Sequence, residues 1–141
     1  MKILLDTNIV IDVLVKRMPF YESSKSVLDL TNYAEIDEYV SASAVTDIFY
    51  ITNRHMKDCS ATRMLIKNFL KAVHIAAVTE NEIMNAMNLP WKDFEDAVQY
   101  SVALYGEMDG VVTRNKDDYT KSNIPIWTPQ ELLEILHIGD M

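Results

Sequence analysis

The chain has 141 residues, 49% of them apolar, enough for one domain with a substantial core. Its net charge of −8 argues against a general nucleic-acid binder with a basic footprint, unless many of the acids share one metal site. Cys59 is the single cysteine and excludes an intramolecular disulfide, while no apolar stretch reaches the length of a membrane span.

Lys2 opens a short apolar run that Asp6 and Asp12 interrupt, so it is no signal peptide, and a soluble cytoplasmic protein is expected. Residues 3–5 predict a strand, followed by Asp6-Thr7-Asn8 and an apolar helix over 9–15. Further strands are predicted at 38–41, 74–78, 110–113 and 125–127. Helices are predicted at 44–56, capped by Ser41 or Ser43, and at 60–72 and 80–87. Phe94, Ala97, Val98, Ser101, Val102 and Tyr105 follow a helical period, with Asp93 placed as the N-cap. Thr128-Pro129-Gln130-Glu131 is a capping box that opens a last helix. Short strands alternating with helices predict an α/β fold: one domain over 1–136, a three-layer α/β/α sandwich with a mostly parallel sheet of about five strands. Residues 137–141 read as a loose tail.

The chemistry lies in the acids. Ligands of open α/β sheets bind beyond the carboxyl ends of the strands, and Asp6 ends the first of them. Two carboxylates ~4 Å apart repel by about 4 kcal/mol at an effective dielectric near 20, and a divalent cation offsets that repulsion. Asp6 reads either as a helix cap or as a functional acid. The second reading is favoured because Thr7 or Asn8 could cap and an unpartnered acid in so apolar a segment is expensive. Asp47 forms a polar stripe with Tyr50 and Arg54 on an otherwise apolar helix, so it is a site residue or one edge of a solvated face. Asp96 falls at the third helical position after Asp93, where an acid favours the helix dipole. With Glu95 there are three acids in four residues, more than capping requires. Asn115, Asp117 and Asp118 follow the fourth strand in a turn, flanked by Arg114 and Lys116, which read either as solvated cations or as phosphate contacts. His55, His74 and His137 lack metal-ligand spacing, the eight methionines read as core fillers, and no glycine-rich loop follows the first strand.

Asp6-Thr7-Asn8, Asp47, Phe94-Glu95-Asp96-Ala97 and the run from Val112 to Tyr119 together resemble the PIN-domain ribonucleases, among them the VapC-type toxins of toxin–antitoxin pairs. The resemblance extends through Pro125–Pro129 and implies a PIN-like fold. It implies a metal-dependent endoribonuclease that hydrolyses phosphodiester bonds in single-stranded or structured RNA. It carries Asp6, Asp47, Asp96 and Asp118 over as catalytic acids and Asp6, Asp96, Asn115 and Asp118 as ligands of Mg²⁺ or Mn²⁺. Thr7 and Asn8 would support them, and Arg114 and Lys116 would contact phosphate. Two departures stand out: Asp47 where the family commonly has Glu, and Asn115 at a position normally acidic. The implied partners are RNA, an antitoxin and a second copy of the chain, with no membrane. A phosphatase of the haloacid-dehalogenase type would need an acid at Asn8, and a receiver domain a phosphorylatable acid after a middle strand. The remaining alternative is a PIN-like RNA-binding or protein-interaction module with weakened catalysis.

Overall fold

A computed structural model describes residues 1–136; the tail expected over 137–141 lies outside the described residues. The order is β1 (Lys2–Leu5), α1 (Thr7–Leu14), α2 (Tyr21–Leu28), β2 (Asp37–Ser41), α3 (Ala42–Met56), α4 (Cys59–Phe69), β3 (His74–Ala76), α5 (Glu80–Asn88), α6 (Phe94–Tyr105), β4 (Gly110–Val112), β5 (Ile126–Trp127) and α7 (Pro129–Ile135). Single 3₁₀ turns cover Asp29–Asn32 and Lys116–Tyr119. The five strands run parallel in the order β3-β2-β1-β4-β5.

Strand periodicity sorts the core into two halves. Ile3 and Leu5 point into a cluster built with Ile9, Val27, Ile48, Ile66 and Leu132, from α1, α2, α3, α4 and α7. Leu4 points the other way, into a cluster with Ala86, Ala97, Val98 and Val111, from α5, α6 and β4. The result is the expected three-layer sandwich, with the central strand buried on both faces.

Caps define where the helices begin. Ser41, of the two serines considered, accepts from the backbone N–H of Ala44 at 3.2 Å. Asp93 accepts from Asp96 at 3.0 Å, and Thr79–Glu82 and Thr128–Glu131 form capping boxes. Asp6 itself caps α1, which therefore starts two residues earlier than the apolar period suggested. Strand β4 ends one residue earlier than expected, at Val112, although the Thr113 N–H still donates to the Trp127 carbonyl at 2.9 Å. Gly110 must stay bare: a Cβ there would lie 2.3 Å from the Trp127 ring and 2.8 Å from the Pro125 carbonyl oxygen.

One buried group conflicts with its surroundings. Glu38 on β2 lies beside Ile3 in the register, is 1% exposed, and neither carboxyl oxygen finds a hydrogen-bond partner among the described residues. Burial, with a smaller contribution from the Asp29 charge, pushes its pKa up from 4.5 to about 9. The folded protein therefore keeps this proton while the unfolded chain releases it above pH ~4.5, so stability falls as pH rises from there to about 9. The limiting slope is about 1.4 kcal/mol per pH unit. Glu38→Gln should flatten that decline, so that urea midpoints of variant and wild type diverge in the variant's favour between pH 6 and 9. A constant difference across this range would show that Glu38 does not titrate as described.

Candidate carboxylate metal centre

The parallel pairing of β1 with β4 brings the chain segments that follow both strands to one edge of the sheet. Asp6 stands there, 8% exposed. Its Oδ1 accepts from the Thr7 N–H at 2.7 Å and its Oδ2 from the Thr113 hydroxyl at 2.7 Å. The Tyr119 hydroxyl lies 3.4 Å from Asp6 Oδ2 and also 3.4 Å from Asp96 Oδ1, so one phenol spans both acids. Thr113 Oγ1 in turn accepts from the Asn115 N–H at 3.1 Å, while Asn8 Oδ1 accepts from the Arg114 N–H at 3.4 Å. Asn8 and Thr113 thus tie the start of α1 to the loop after β4.

The electrostatics show how crowded this edge is. Burial raises the pKa of Asp6; the hydrogen bonds from Thr113, Thr7 and Tyr119 oppose the rise, and Asp93 adds to it. Asp96 is pushed up to about 7, first by burial and then by the charges of Asp6, Asp93 and Asp118. Glu95 is raised chiefly by Asp47, then by burial, Asp93 and Asp6. Burial and the adjoining carboxylates push the Tyr119 phenol upward, so it remains a protonated donor.

Of the acids expected at the site, Asp6 and Asp96 are therefore joined through Tyr119, and Asp118 acts on Asp96 through space. Asp47, partly buried on α3, acts on Glu95. Asn115 is exposed and is held through its backbone, not its side-chain amide. Tyr119, Asp93 and Glu95 join the site beyond the residues expected from sequence. A cluster of three acids in four residues was the available signal for the last two; nothing local marks the Tyr119 hydroxyl.

The basic residues have acidic partners of their own. Arg114 donates through Nε to Asp12 Oδ2 at 2.7 Å and through Nη2 to Asp12 Oδ1 at 3.2 Å, and its guanidinium stacks 3.8 Å over the Phe20 ring. Asp12 has no exposure at all and also accepts from the Ser24 hydroxyl at 3.2 Å. Lys116 pairs with Glu131 at 2.9 Å on an open surface.

Among the described residues, no three His, Cys, Asp or Glu side chains already stand close enough together to grip one ion. The donor chemistry nevertheless fits a hard cation: the groups at this edge are carboxylates, amide oxygens and hydroxyls, without thiolate or imidazole. Burial raises Asp6 and Asp96 with neighbouring acids adding to the rise, and Asp47 leads the rise of Glu95; the repulsive part of these shifts is what a bound divalent cation would relieve.

The family model described as PIN domain matches residues 2–117, and the chain belongs to that family. Solved structures share its fold. A toxin–antitoxin complex from Klebsiella pneumoniae superposes with a TM-score of 0.67 at 22% identity, covering 89% of this chain and 96% of that one. A VapBC complex from Rickettsia felis, bound to a promoter DNA fragment, gives 0.69 at 16% identity, covering 91% and 98%. A sarcin-ricin-loop-cleaving VapC toxin from Mycobacterium tuberculosis gives 0.61 at 16% identity, covering 77% and 86%. No curated protein matches by sequence.

Removing one partner of a buried ion pair leaves the other charge stranded, at about 3–5 kcal/mol, whereas an exposed pair contributes about 0–1 kcal/mol. Arg114→Ala should therefore lower the urea midpoint strongly and Lys116→Ala barely at all. Equal effects would show that the Asp12–Arg114 pair is not the buried anchor described.

Proposed function

We propose that the protein is a metal-dependent endoribonuclease of the toxin type, which hydrolyses phosphodiester bonds in single-stranded or structured RNA. The observation that carries this reading is the Asp6–Tyr119–Asp96 bridge, with Asp118 and the Asp47–Glu95 pair close enough to perturb its surroundings. Membership of the PIN family and the likeness to VapC-type folds support it.

Asp6, Asp96 and Asp118 would hold Mg²⁺ or Mn²⁺, with Asn115 contributing an amide oxygen and Asp47 acting as a further catalytic acid. A bound cation of this kind lowers the pKa of a water nucleophile and neutralises charge that builds on the phosphate. The protein's own residues do the positioning. Thr113 and Thr7 fix both oxygens of Asp6, and the single Tyr119 hydroxyl lies between Asp6 Oδ2 and Asp96 Oδ1, placed to donate to either one. Asn8 holds the β4 loop against α1. Lys116 is the readier phosphate contact, because its surface pairing with Glu131 is easily exchanged. Arg114 would aid substrate binding mainly by holding the loop through Asp12.

The same reading supplies partners. A net charge of −8 suits a basic antitoxin segment, and the complexes from Klebsiella and Rickettsia are of that toxin–antitoxin kind. Exposed Met84 and Met87 on α5, with Leu104 and Tyr105 on α6, offer apolar surface for a second copy of the chain. Light scattering at micromolar concentration should find a dimer; a strict monomer would remove this part of the reading.

Asp6→Asn should preserve the fold and reduce cleavage of an RNA panel in Mg²⁺ or Mn²⁺ by at least about a hundredfold. Wild-type protein that leaves the whole panel intact would overturn the enzyme and favour a catalytically weakened RNA-binding module. Calorimetric Mn²⁺ titration tests the loop separately: Asp118→Asn should weaken binding, and Asn115→Asp should tighten it by restoring a negative ligand. If neither substitution changes the affinity, the loop after β4 holds no metal.

A further inference from the structure

Tyr119 stands between the two central acids, yet its hydrogen bonds do not account for where it stands. A hydroxyl donating to a carboxylate closes to about 2.5–2.7 Å. Here the phenol oxygen lies 3.4 Å from Asp6 Oδ2 and 3.4 Å from Asp96 Oδ1, drawn in fully by neither. The side chain is 2% exposed, so the packing of its ring sets the position of its hydroxyl. Trp91, in the segment between α5 and α6, packs against that ring. The two ring centroids are 5.6 Å apart with the planes at 87°, an edge-to-face pair. Trp91 also stacks on Tyr100, with centroids 4.8 Å apart and planes at 27°. Tyr100 follows Asp96 by four residues, about one turn along the same face of α6. Trp91 therefore rests on the helix that presents Asp96 and bears on the ring that reaches Asp6. Two hydrogen bonds hold the same segments together: Lys121 Nζ donates to the Pro90 carbonyl at 3.1 Å, and the Asn123 N–H donates to the Tyr100 hydroxyl at 3.3 Å.

We infer that Trp91 is a positioning residue of the carboxylate site: its ring holds the Tyr119 hydroxyl between Asp6 and Asp96 and so fixes the two acids relative to each other. This role deepens the proposed reading of the acids and rests on it for what they hold, while the action of the ring on Tyr119 is tested without metal or RNA. Trp91 is partly buried against the cluster that contains Leu4, Ala97 and Tyr119, as a core filler would be. A filler replaced by leucine costs stability and leaves the phenol where it was. Trp91 differs because it also lines a cavity of about 270 Å³ together with Asp93 and Asp118. Losing the ring opens that space toward Tyr119 and frees the phenol to leave the acids.

The phenol can be read directly. Tyrosine labelled with ¹³C at Cζ gives a signal for each of the seven tyrosines, and Tyr119→Phe identifies the one concerned. In metal-free protein that signal should shift on Asp6→Asn, because the charge on an acceptor beside the hydroxyl is removed. Trp91→Leu should move the signal and abolish its response to Asp6→Asn. Trp91→Phe, which keeps a flat ring, should restore both. Lys121→Ala, which releases only the Pro90 contact, should leave both unchanged, and thermal midpoints verify that the variants fold. A wild-type signal that ignores Asp6→Asn would overturn the role without any change at Trp91. A response that survives in folded Trp91→Leu, or that is lost equally in Lys121→Ala, would overturn it as well. Calorimetric Mn²⁺ titration then follows the effect to the acids: Trp91→Leu should weaken binding by about tenfold and add nothing once Tyr119 is replaced by Phe. An equal loss in both backgrounds would overturn action through Tyr119. A phenol response that depends on Trp91, in a protein that binds no Mn²⁺, would uphold Trp91 and overturn the metal centre. Cleavage of RNA by a protein whose phenol signal is indifferent to Trp91→Leu would overturn Trp91 and leave the nuclease standing.

Discussion

The hydrogen bond from Thr113 to Asp6 is the contact on which the rest of the molecule's edge depends. It joins residues 107 positions apart and exists only because β1 and β4 are paired in register. Without it, Asp6 would carry a buried charge opposed by neighbouring acids, and the Asn115 N–H would lose the hydroxyl that accepts it. Tyr119 extends the same logic by one step, because its phenol reaches from Asp6 to Asp96 across the interval between α1 and α6. The fold therefore gathers repelling carboxylates and restrains them with neutral donors, leaving their negative charge available to a cation.

A second anchor works behind the first. Asp12, on the far side of α1 from solvent, draws in Arg114 from the β4 loop and Ser24 from α2. Phe20 covers the guanidinium, which keeps the pair in surroundings of low polarity where its hydrogen bonds are strongest. The loop that carries Asn115, Asp118 and Tyr119 is thus held at both ends: by Arg114 to α1 and by Tyr119 to the acids. Rigid placement of this kind is what separates a functional carboxylate cluster from a merely acidic surface.

The layer order, the five strands and most helix starts were legible because they rest on local rules. Apolar runs of strand length alternate with helical periods, and Asp93, Ser41 and Thr128 announce their helices by capping chemistry. What escaped was non-local. Asp12 looked like no more than a break in an apolar run, yet its partner lies 102 residues away. Tyr119 carried no sign that its hydroxyl would meet acids from two other elements. Arg114 and Lys116 read alike in sequence, but one is locked into the interior and the other sits on open surface. Glu38 belonged to a predicted strand, and only the tertiary fold shows that its side chain is sealed within the core. Asp6 caps α1 and meets Thr113 and Tyr119 at the sheet edge as well, so capping alone does not account for its contacts.

The pairing of the first strand between β2 and β4 also has a consequence for synthesis on the ribosome. The sheet is assembled from the middle outward in space but not in time: β1 emerges first and must wait for Gly110–Val112 before its second edge is covered. Contacts so distant along the chain form late, since loop closure over that span precedes any reward from pairing. A nascent chain halted short of Thr113 has neither the hydroxyl that steadies Asp6 nor the phenol that joins it to Asp96. Whatever these carboxylates do, they are steadied and joined only once the chain has been translated past Tyr119.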